Sequence, residues 1–282
     1  MYQLIRNSGG NPDGIQQRKQ GELEYLVFPK LEKTGVVEHL FTTRTGGVSS
    51  GIYSTMNLSF SRGDDPECVR ENYRRIGEVL GTDPEHMVAS KQTHTTNIRL
   101  VTEADLGNGI TEPSAYDDVD GLATNIPGMA LVTFYADCVP LYFVDPVKKA
   151  IGLAHSGWRG TVAGMGACMV QFMREHFHSD PKDLIAAIGP SICVDCYEVS
   201  EEVAEQFREG FPEEILQPGK AEGKYQLDLW KESILLKAGI LPKHLTVTDV
   251  CTCHNPEYLF SHRASHGQRG NLAAFLMLKN NS

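Results

Sequence analysis

The sequence has no apolar run long enough to cross a bilayer. Its longest apolar stretches, Met129–Phe134 and Leu141–Val144, fall far short of the ~20 residues a membrane helix needs. Met1–Leu23 is polar and rich in Gly, Asn and Gln, and is expected to be neither a signal peptide nor an anchor. Basic residues are in deficit, 26 Lys and Arg against 36 Asp and Glu, for a formal net charge of −10. A surface that negative repels phosphate backbones and anionic lipid, which argues against a nucleic-acid or membrane partner. No internal repeat, low-complexity block or Pro/Ser/Gly-rich linker interrupts the chain. Cysteine is present but odd in number, at 7, and without an export signal. The expectation is reduced thiols in a cytoplasmic protein, available for metal or catalysis.

What remains is ordinary globular composition. Of 282 residues, 41% are hydrophobic and 22% charged. A chain of that size buries about three quarters of its unfolded surface without staples. Residues 1–22 read as a loose leader and 23–282 as a single catalytic domain, a monomer or small homo-oligomer. Tyr25–Leu31 and Val36–Thr42 have strand character. Asp65 as N-cap, Pro66 in the first turn and Val69, Tyr73, Ile76 and Leu80 at helical spacing predict a helix closed by Gly81. Short apolar or β-branched runs at Met87–Lys91, Asn97–Val101, Met129–Tyr135, Pro140–Val144 and Ala150–Ala154 read as strands. A helix is expected after Gly160, then a strand at Leu184–Ile188, a helix capped by Ser200, and another from Asp228 to Gly239. Leu245–Val250 and Tyr258–Ser261 read as strands, and Arg269–Leu278 as a terminal helix. The loose alternation lacks a regular βαβ beat, which indicates a mixed-sheet α/β or α+β architecture rather than a Rossmann fold or a barrel.

Three residues with ligand chemistry stand at strand ends, where a sheet presents side chains at its rim. They are His94 in Lys-Gln-Thr-His-Thr, Cys138 in Tyr-Ala-Asp-Cys-Val-Pro and His155 in Leu-Ala-His-Ser-Gly-Trp-Arg-Gly. Two imidazoles and one thiolate suit zinc, and three protein ligands leave a fourth position for water or substrate. Spacing alone equally allows three unrelated core residues. Beside His155, Ser156-Gly-Trp-Arg-Gly160 is a strand–glycine–helix junction whose free N–H groups suit an anion. Arg159 and Arg44 could add charge there, although each alone is more often a surface salt bridge. Cys193-Val-Asp-Cys196 and Cys251-Thr-Cys253-His254 compete for metal and could together make a four-ligand structural site; the alternative is small buried hydrophobes. Cys138 with His155 could also form a thiol-hydrolase dyad.

At these motifs the chain resembles the YfiH/YlmD family of purine nucleoside phosphorylases, formerly labelled laccase-like or polyphenol oxidases. The resemblance runs from about Val37 to Leu278. It is carried by Phe41-Thr-Thr-Arg-Thr-Gly-Gly-Val-Ser with Asn57-Leu58, Gln92-Thr-His94, Ala136-Asp-Cys-Val-Pro140, His155-Ser-Gly-Trp-Arg-Gly160, Gly189-Pro-Ser-Ile192, Cys196-Tyr-Glu-Val199 and Phe260-Ser-His-Arg263. The tail departs, reading Gly267-Gln-Arg-Gly-Asn271 in place of the usual Thr-Gly-Arg. The resemblance implies a layered α/β/β/α fold and a mononuclear zinc held by His94, Cys138 and His155. It also implies phosphorolysis of adenosine, inosine, guanosine and 5′-methylthioadenosine, together with deamination of adenosine. From their clustering on these motif loops, Arg44, Arg159 and the Ser156–Gly160 turn, including Gly157, are expected to hold phosphate. Gln92 and Asn57 are expected to bind substrate, and the zinc centre or Asp137 to engage the base.

The older laccase label meets an arithmetic obstacle. A blue-copper site plus a three-copper cluster needs on the order of ten histidines, mostly in His-x-His pairs. This chain has 10 histidines and one such pair, His176 and His178. Incidental copper binding remains compatible with the sequence. The alternatives are a thiol hydrolase linked to cell-wall peptide editing and a non-catalytic metal-binding regulator.

Overall fold

The computed structural model describes residues 1–7, 14–231 and 233–280. In chain order the strands begin with β1 (Gln16–Gln20), β2 (Leu23–Val27), β3 (Val37–Thr42), β4 (Met87–Ala89) and β5 (Ile98–Leu100). They continue with β6 (Gly121–Thr124), β7 (Ala130–Tyr135), β8 (Val139–Asp145), β9 (Ala150–Ser156) and β10 (Ile185–Ile188). The last are β11 (Glu198–Ser200), β12 (Leu216–Pro218), β13 (Lys224–Leu227), β14 (Leu245–Val247) and β15 (Leu272–Leu278). The helices are α1 (Pro29–Glu32), α2 (Pro66–Leu80), α3 (Trp158–Val162), α4 (Met165–Phe177), α5 (Glu201–Arg208) and α6 (Ser233–Leu236).

Two mixed sheets form the body. One runs β1-β2-β3-β15-β7-β4 and the other β14-β10-β8-β9-β6-β5, with a small β11-β13-β12 sheet beside them. The two-residue period of strands explains how they stack. On β15, Leu272, Ala274, Leu276 and Leu278 join Phe41, Leu131, Tyr142, Ile151 and Leu153 in one core, which lies between the sheets. The alternate residues Ala273, Phe275 and Met277 face the other way and pack with Val69, Tyr73, Ile76 and Leu80 of α2. On the second sheet, Leu141, Phe143 and Ala154 pack outward against Met165, Met169 and Met173 of α4. The order is therefore helix, sheet, sheet, helix, the α/β/β/α layering expected of the family. No described helix is long and apolar enough to cross a membrane. All seven cysteines are free thiols.

The helix read from Asp65 is α2. The Asp65 carboxylate accepts the Glu67 N–H at 2.9 Å, and Gly81 closes the helix at φ 70°. Several other expectations need correction. Residues 272–278 form a strand, not a terminal helix, because β15 is sandwiched between β3 and β7 and covered on both faces. A strand buried on both faces carries a continuous apolar run, and Leu, Ala and Met then give no periodic signal against helix. Tyr258–Ser261 is buried turn and coil, with no strand partner among the described residues. The long helix after Gly160 is broken at Gly164, φ 79°, into α3 and α4. The helix expected from Asp228 shrinks to α6. Gln16–Gln20, within the stretch read as leader, pairs antiparallel with β2. Residues 8–13 of that stretch lie outside the described residues.

Candidate metal centre and its pocket

Sheet register assembles the centre. Pairing of β8 with β9 sets Val139 opposite Ser156 and Pro140 opposite His155, which brings Cys138, one residue before β8, beside Gly157. Pairing of β6 with β9 sets Gly121 opposite Ala154, and so Asp120 opposite His155. His94 arrives from the loop between β4 and β5. The ligand atoms of His94, Cys138 and His155 all lie within 4.8 Å of one another. The two imidazoles sit 5.0 Å apart with their planes at 83°. A Cβ on Gly157 would stand 3.1 Å from both Cys138 Sγ and His94 Cδ2. Glycine there keeps open the space on which the three side chains converge.

Asp120 ties the ligands together, and sequence reasoning missed it. Its fully buried carboxylate accepts His155 Nδ1 at 2.7 Å, leaving Nε2 for the centre. It also accepts the backbone N–H groups of Thr93 (2.8 Å), His94 (3.1 Å) and Thr95 (3.1 Å), so it shapes the arch that carries His94. A carboxylate behind a histidine ligand fixes the ring's tautomer and direction. Burial raises the Asp120 carboxyl, but the His155 and Thr93 hydrogen bonds outweigh it and hold it below the usual range. The only sequence hint is an acidic residue directly ahead of a strand, in Asp118-Val119-Asp120-Gly121.

His94 (φ 69°) and Asp137 (φ 90°), the neighbour of Cys138, both lie in the left-handed region that non-glycine residues avoid. Such positions cost on the order of 1–3 kcal/mol and persist where the surroundings dictate them. Asp120 dictates the first. The second is held through the Asp137 carbonyl, which accepts Ile192 N–H at 3.0 Å, and through its carboxylate. Burial by itself would push the Cys138 thiol up, yet His155 and His94 outweigh it and bring it down to about 6. Burial also disfavours charge on His155, yet Cys138 and Asp120 lift it to about 9. Free of metal, the pair is a thiolate beside an imidazolium at neutral pH.

A pocket of about 490 Å³ opens onto His94, Cys138 and His155. Gln92 lines it, with its amide clamped to the Phe134 backbone by bonds of 2.8 and 2.6 Å. The other expected residues sit elsewhere. Arg44 donates to the Ser54 and Pro256 carbonyls and stacks on Phe260, in a separate hollow with Glu22, Glu24 and Glu257. Arg159 is exposed and lies over the Trp158 ring. Asn57 is fully buried and joins Ser59, Asp64 and the Asn271 amide. The Ser156 hydroxyl meets Thr161 at 2.9 Å. Both Asp137 carboxylate oxygens are taken, by Thr252 Oγ1 and by the Arg263 N–H, each at 2.7 Å.

In their place the pocket presents Arg62, which stands in a serine-rich loop with no motif around it and which sequence reasoning misses, and Arg269, which sequence reasoning gives no role because its tail segment departs from the family's Thr-Gly-Arg. Arg269 Nε is buried without a partner. Burial and the neighbouring Arg62 bring the Arg269 guanidinium down to about 10, still cationic at neutral pH. Two arginines, one with an unused buried donor, make this wall receptive to an anion.

A family model described as multi-copper polyphenol oxidoreductase laccase matches residues 38–279. The chain belongs to this family. Within it, the chain is 38% identical over 270 residues to the purine nucleoside phosphorylase YlmD of Geobacillus stearothermophilus, covering 94% of this chain and 97% of that one. It is 32% identical over 248 residues to the adenosine deaminase RL5 of an unknown prokaryotic organism, covering 86% and 94%. The crystal structure of YlmD from Geobacillus stearothermophilus superposes with a TM-score of 0.88 at 36% identity, over 95% of this chain and 100% of that one. These likenesses place the chain in the YfiH/YlmD branch of the family and establish it as an enzyme. Its relatives act on nucleosides, and its three-residue centre holds two histidines, far fewer than multi-copper chemistry uses.

Proposed function

We propose that the chain is a zinc-dependent purine nucleoside phosphorylase of the cytoplasm. Its substrates would be adenosine, inosine, guanosine and 5′-methylthioadenosine, and it would also deaminate adenosine. The observation that carries this is one pocket that offers a His-Cys-His ligand set at one end and two arginines on its wall. The ligand set fits zinc. Its donors are two nitrogens and one sulfur, the thiol is already depressed, and Gly157 leaves the convergence point clear. When bound there, zinc supplies a Lewis acid at neutral pH, which serves both polarisation of a purine and hydrolytic removal of its 6-amino group.

The chain's own residues do the positioning. Arg62 and Arg269 hold the phosphate dianion, replacing Arg44 and Arg159 in that role because neither of those lines the pocket. In phosphorolysis a phosphate oxygen bonds to C1′ as the C1′–N9 bond breaks. Its electron pair leaves with the purine, which takes up a proton. Positive charge develops on the sugar during this step, and the adjacent phosphate stabilises it. Phe60 and Phe134 give the pocket apolar walls for the base and sugar. Asp120 acts through His155 and His94 and is a positioning residue.

Purified enzyme incubated with adenosine is expected to give adenine and ribose 1-phosphate with phosphate present, and inosine without it. Arg269→Ala and Arg62→Ala are expected to raise the apparent KM for phosphate at least tenfold while leaving metal content intact. Unchanged phosphate dependence in both variants would overturn the assignment of that wall. Full activity after metal removal, lost on alkylation of Cys138, would favour the thiol-hydrolase reading that the depressed thiol also allows.

A further inference from the structure

A second cluster of soft ligands lies outside the pocket. Cys193, Cys196, Cys251 and His254 bring their ligand atoms within 4.8 Å of one another. Two loops far apart in sequence supply them, each with the same spacing: Cys-x-x-Cys from 193 to 196, and Cys-x-x-His from 251 to 254. Cys193 caps a 3₁₀ turn over Val194–Cys196, where the Cys196 N–H donates to the Cys193 carbonyl at 3.1 Å. That turn points both sulfurs the same way. A bridge between Ser191 and Cys251, with the Thr252 N–H donating to the Ser191 carbonyl at 3.0 Å, sets the second loop alongside.

The finer geometry matches metal ligation. The Cys193 N–H donates to Cys251 Sγ at 3.3 Å, an amide directed at sulfur of the kind that stabilises a thiolate. Cys193 Sγ lies 3.8 Å from His254 Nδ1. With metal–sulfur and metal–nitrogen bonds of about 2.3 and 2.0 Å at tetrahedral angles, ligand atoms stand roughly 3.5 Å apart. Asn7 Oδ1 is 3.3 Å from the same nitrogen. Cys193 and Cys251 are buried, Cys196 and His254 half-buried, and Cys253 is outside the group. Three thiols with one imidazole fill a tetrahedron, leave no open position and select zinc over harder cations.

We propose that Cys193, Cys196, Cys251 and His254 bind a second zinc ion in a closed structural site. That ion clamps the 191–197 loop to the 251–263 loop. Both loops grip Asp137, through its carbonyl at Ile192 and its carboxylate at Thr252 and Arg263, and Asp137 precedes Cys138. The second ion therefore braces the segment that presents the thiol of the first centre.

Metal counting on the intact protein, purified with reductant and dialysed against a moderate chelator, tests this. The unmodified chain is expected to retain two zinc ions. Cys138→Ala with His155→Ala, which leaves the second cluster untouched, is expected to retain one. Loaded with cobalt(II) instead, that variant should show the intense thiolate-to-cobalt charge-transfer absorption of three sulfurs. Cys196→Ser with His254→Ala should also hold one ion, with the weaker absorption of a single thiolate. Loss of all metal from the Cys138/His155 variant, or an ion retained there without the three-sulfur cobalt absorption, would overturn the proposal; one ion in the unmodified chain that persists in that variant would instead count against the first centre. If the Cys196/His254 variant fails to fold, the count and spectrum of the Cys138/His155 variant still decide.

Discussion

Replacing Asp120 with Asn is the most revealing single change at the first centre, because it preserves shape and removes only charge and symmetry. The carboxylate accepts His155 Nδ1 and the His94 N–H on one oxygen, and the Thr93 and Thr95 N–H groups on the other. An amide turned either way points its NH₂ at one of these donor pairs. At least two donors in a buried spot then lose their acceptor, at about 1–3 kcal/mol each, for a stability loss of about 2–6 kcal/mol. The ligands also lose their alignment. A lost partner behind a metal-bound histidine typically costs 10–100-fold in metal affinity, or about 1.4–2.7 kcal/mol. Chelator competition on the folded variant reads the second effect and denaturant unfolding the first. Asp118→Asn is the control, since that carboxylate bonds Thr95 Oγ1 and Asn97 Nδ2 at 2.6 Å on the same arch, whereas His155 bonds Asp120. If Asp120→Asn bound metal as tightly as the unmodified chain, or if Asp118→Asn weakened it equally, the ring-orienting role of Asp120 would be wrong.

Gly157→Ala is expected to weaken metal binding at the first centre about tenfold with little loss of stability, because the new methyl enters at 3.1 Å from Cys138 Sγ and His94 Cδ2; chelator competition measures it. In metal-stripped protein, the Cys138 thiol held at about 6 predicts that iodoacetamide modifies it at a rate already level above about pH 7 and halved near pH 6. A midpoint near the ordinary thiol value would contradict the imidazolium pairing. His39 is buried and accepts the Phe28 N–H on Nε2 at 2.8 Å, so burial, reinforced by Arg18, depresses it to about 3. The unfolded chain protonates first; the contribution is complete above about pH 6.5 and is lost as the pH falls towards 3, reaching about 5 kcal/mol. Denaturant midpoints across that range, with the His39 ring followed by NMR, check both the slope and its owner.

Local chemistry was legible and convergence was not. The Asp65 cap, Pro66 and Gly81 bounded α2 because a helix end is written in adjacent residues. Strands β7, β8 and β9 were legible as apolar runs. The same property misled at β15, whose surroundings on both faces are supplied by β3, β7, α2 and the second sheet rather than by its neighbours in sequence. His94, Cys138 and His155 were recognisable only through the family pattern, since no short spacing joins them. Asp120 carries only the faint hint of an acid ahead of a strand, and Arg269 stands in a tail that departs from the family pattern; their importance comes from register and burial. Arg44 and Asn57 show the converse, conspicuous motif residues whose side chains hold loops together.

The position of β15 also has a temporal side. Leu276 pairs with His39 on one flank and with Leu131 on the other, so β3 and β7 cannot share a sheet until residue 278 has emerged from the ribosome. Until then the nascent chain carries two bare apolar edges and an α2 that lacks Ala273, Phe275 and Met277 beneath it. Synthesis is vectorial, and this topology makes β15, made after every other strand of its sheet, the keystone. A chain that has made β3 and β7 but not β15 is therefore expected to stay open along that seam, exposed to wrong pairings, until β15 slides into the gap, which limited proteolysis of a chain truncated before Leu272 would check.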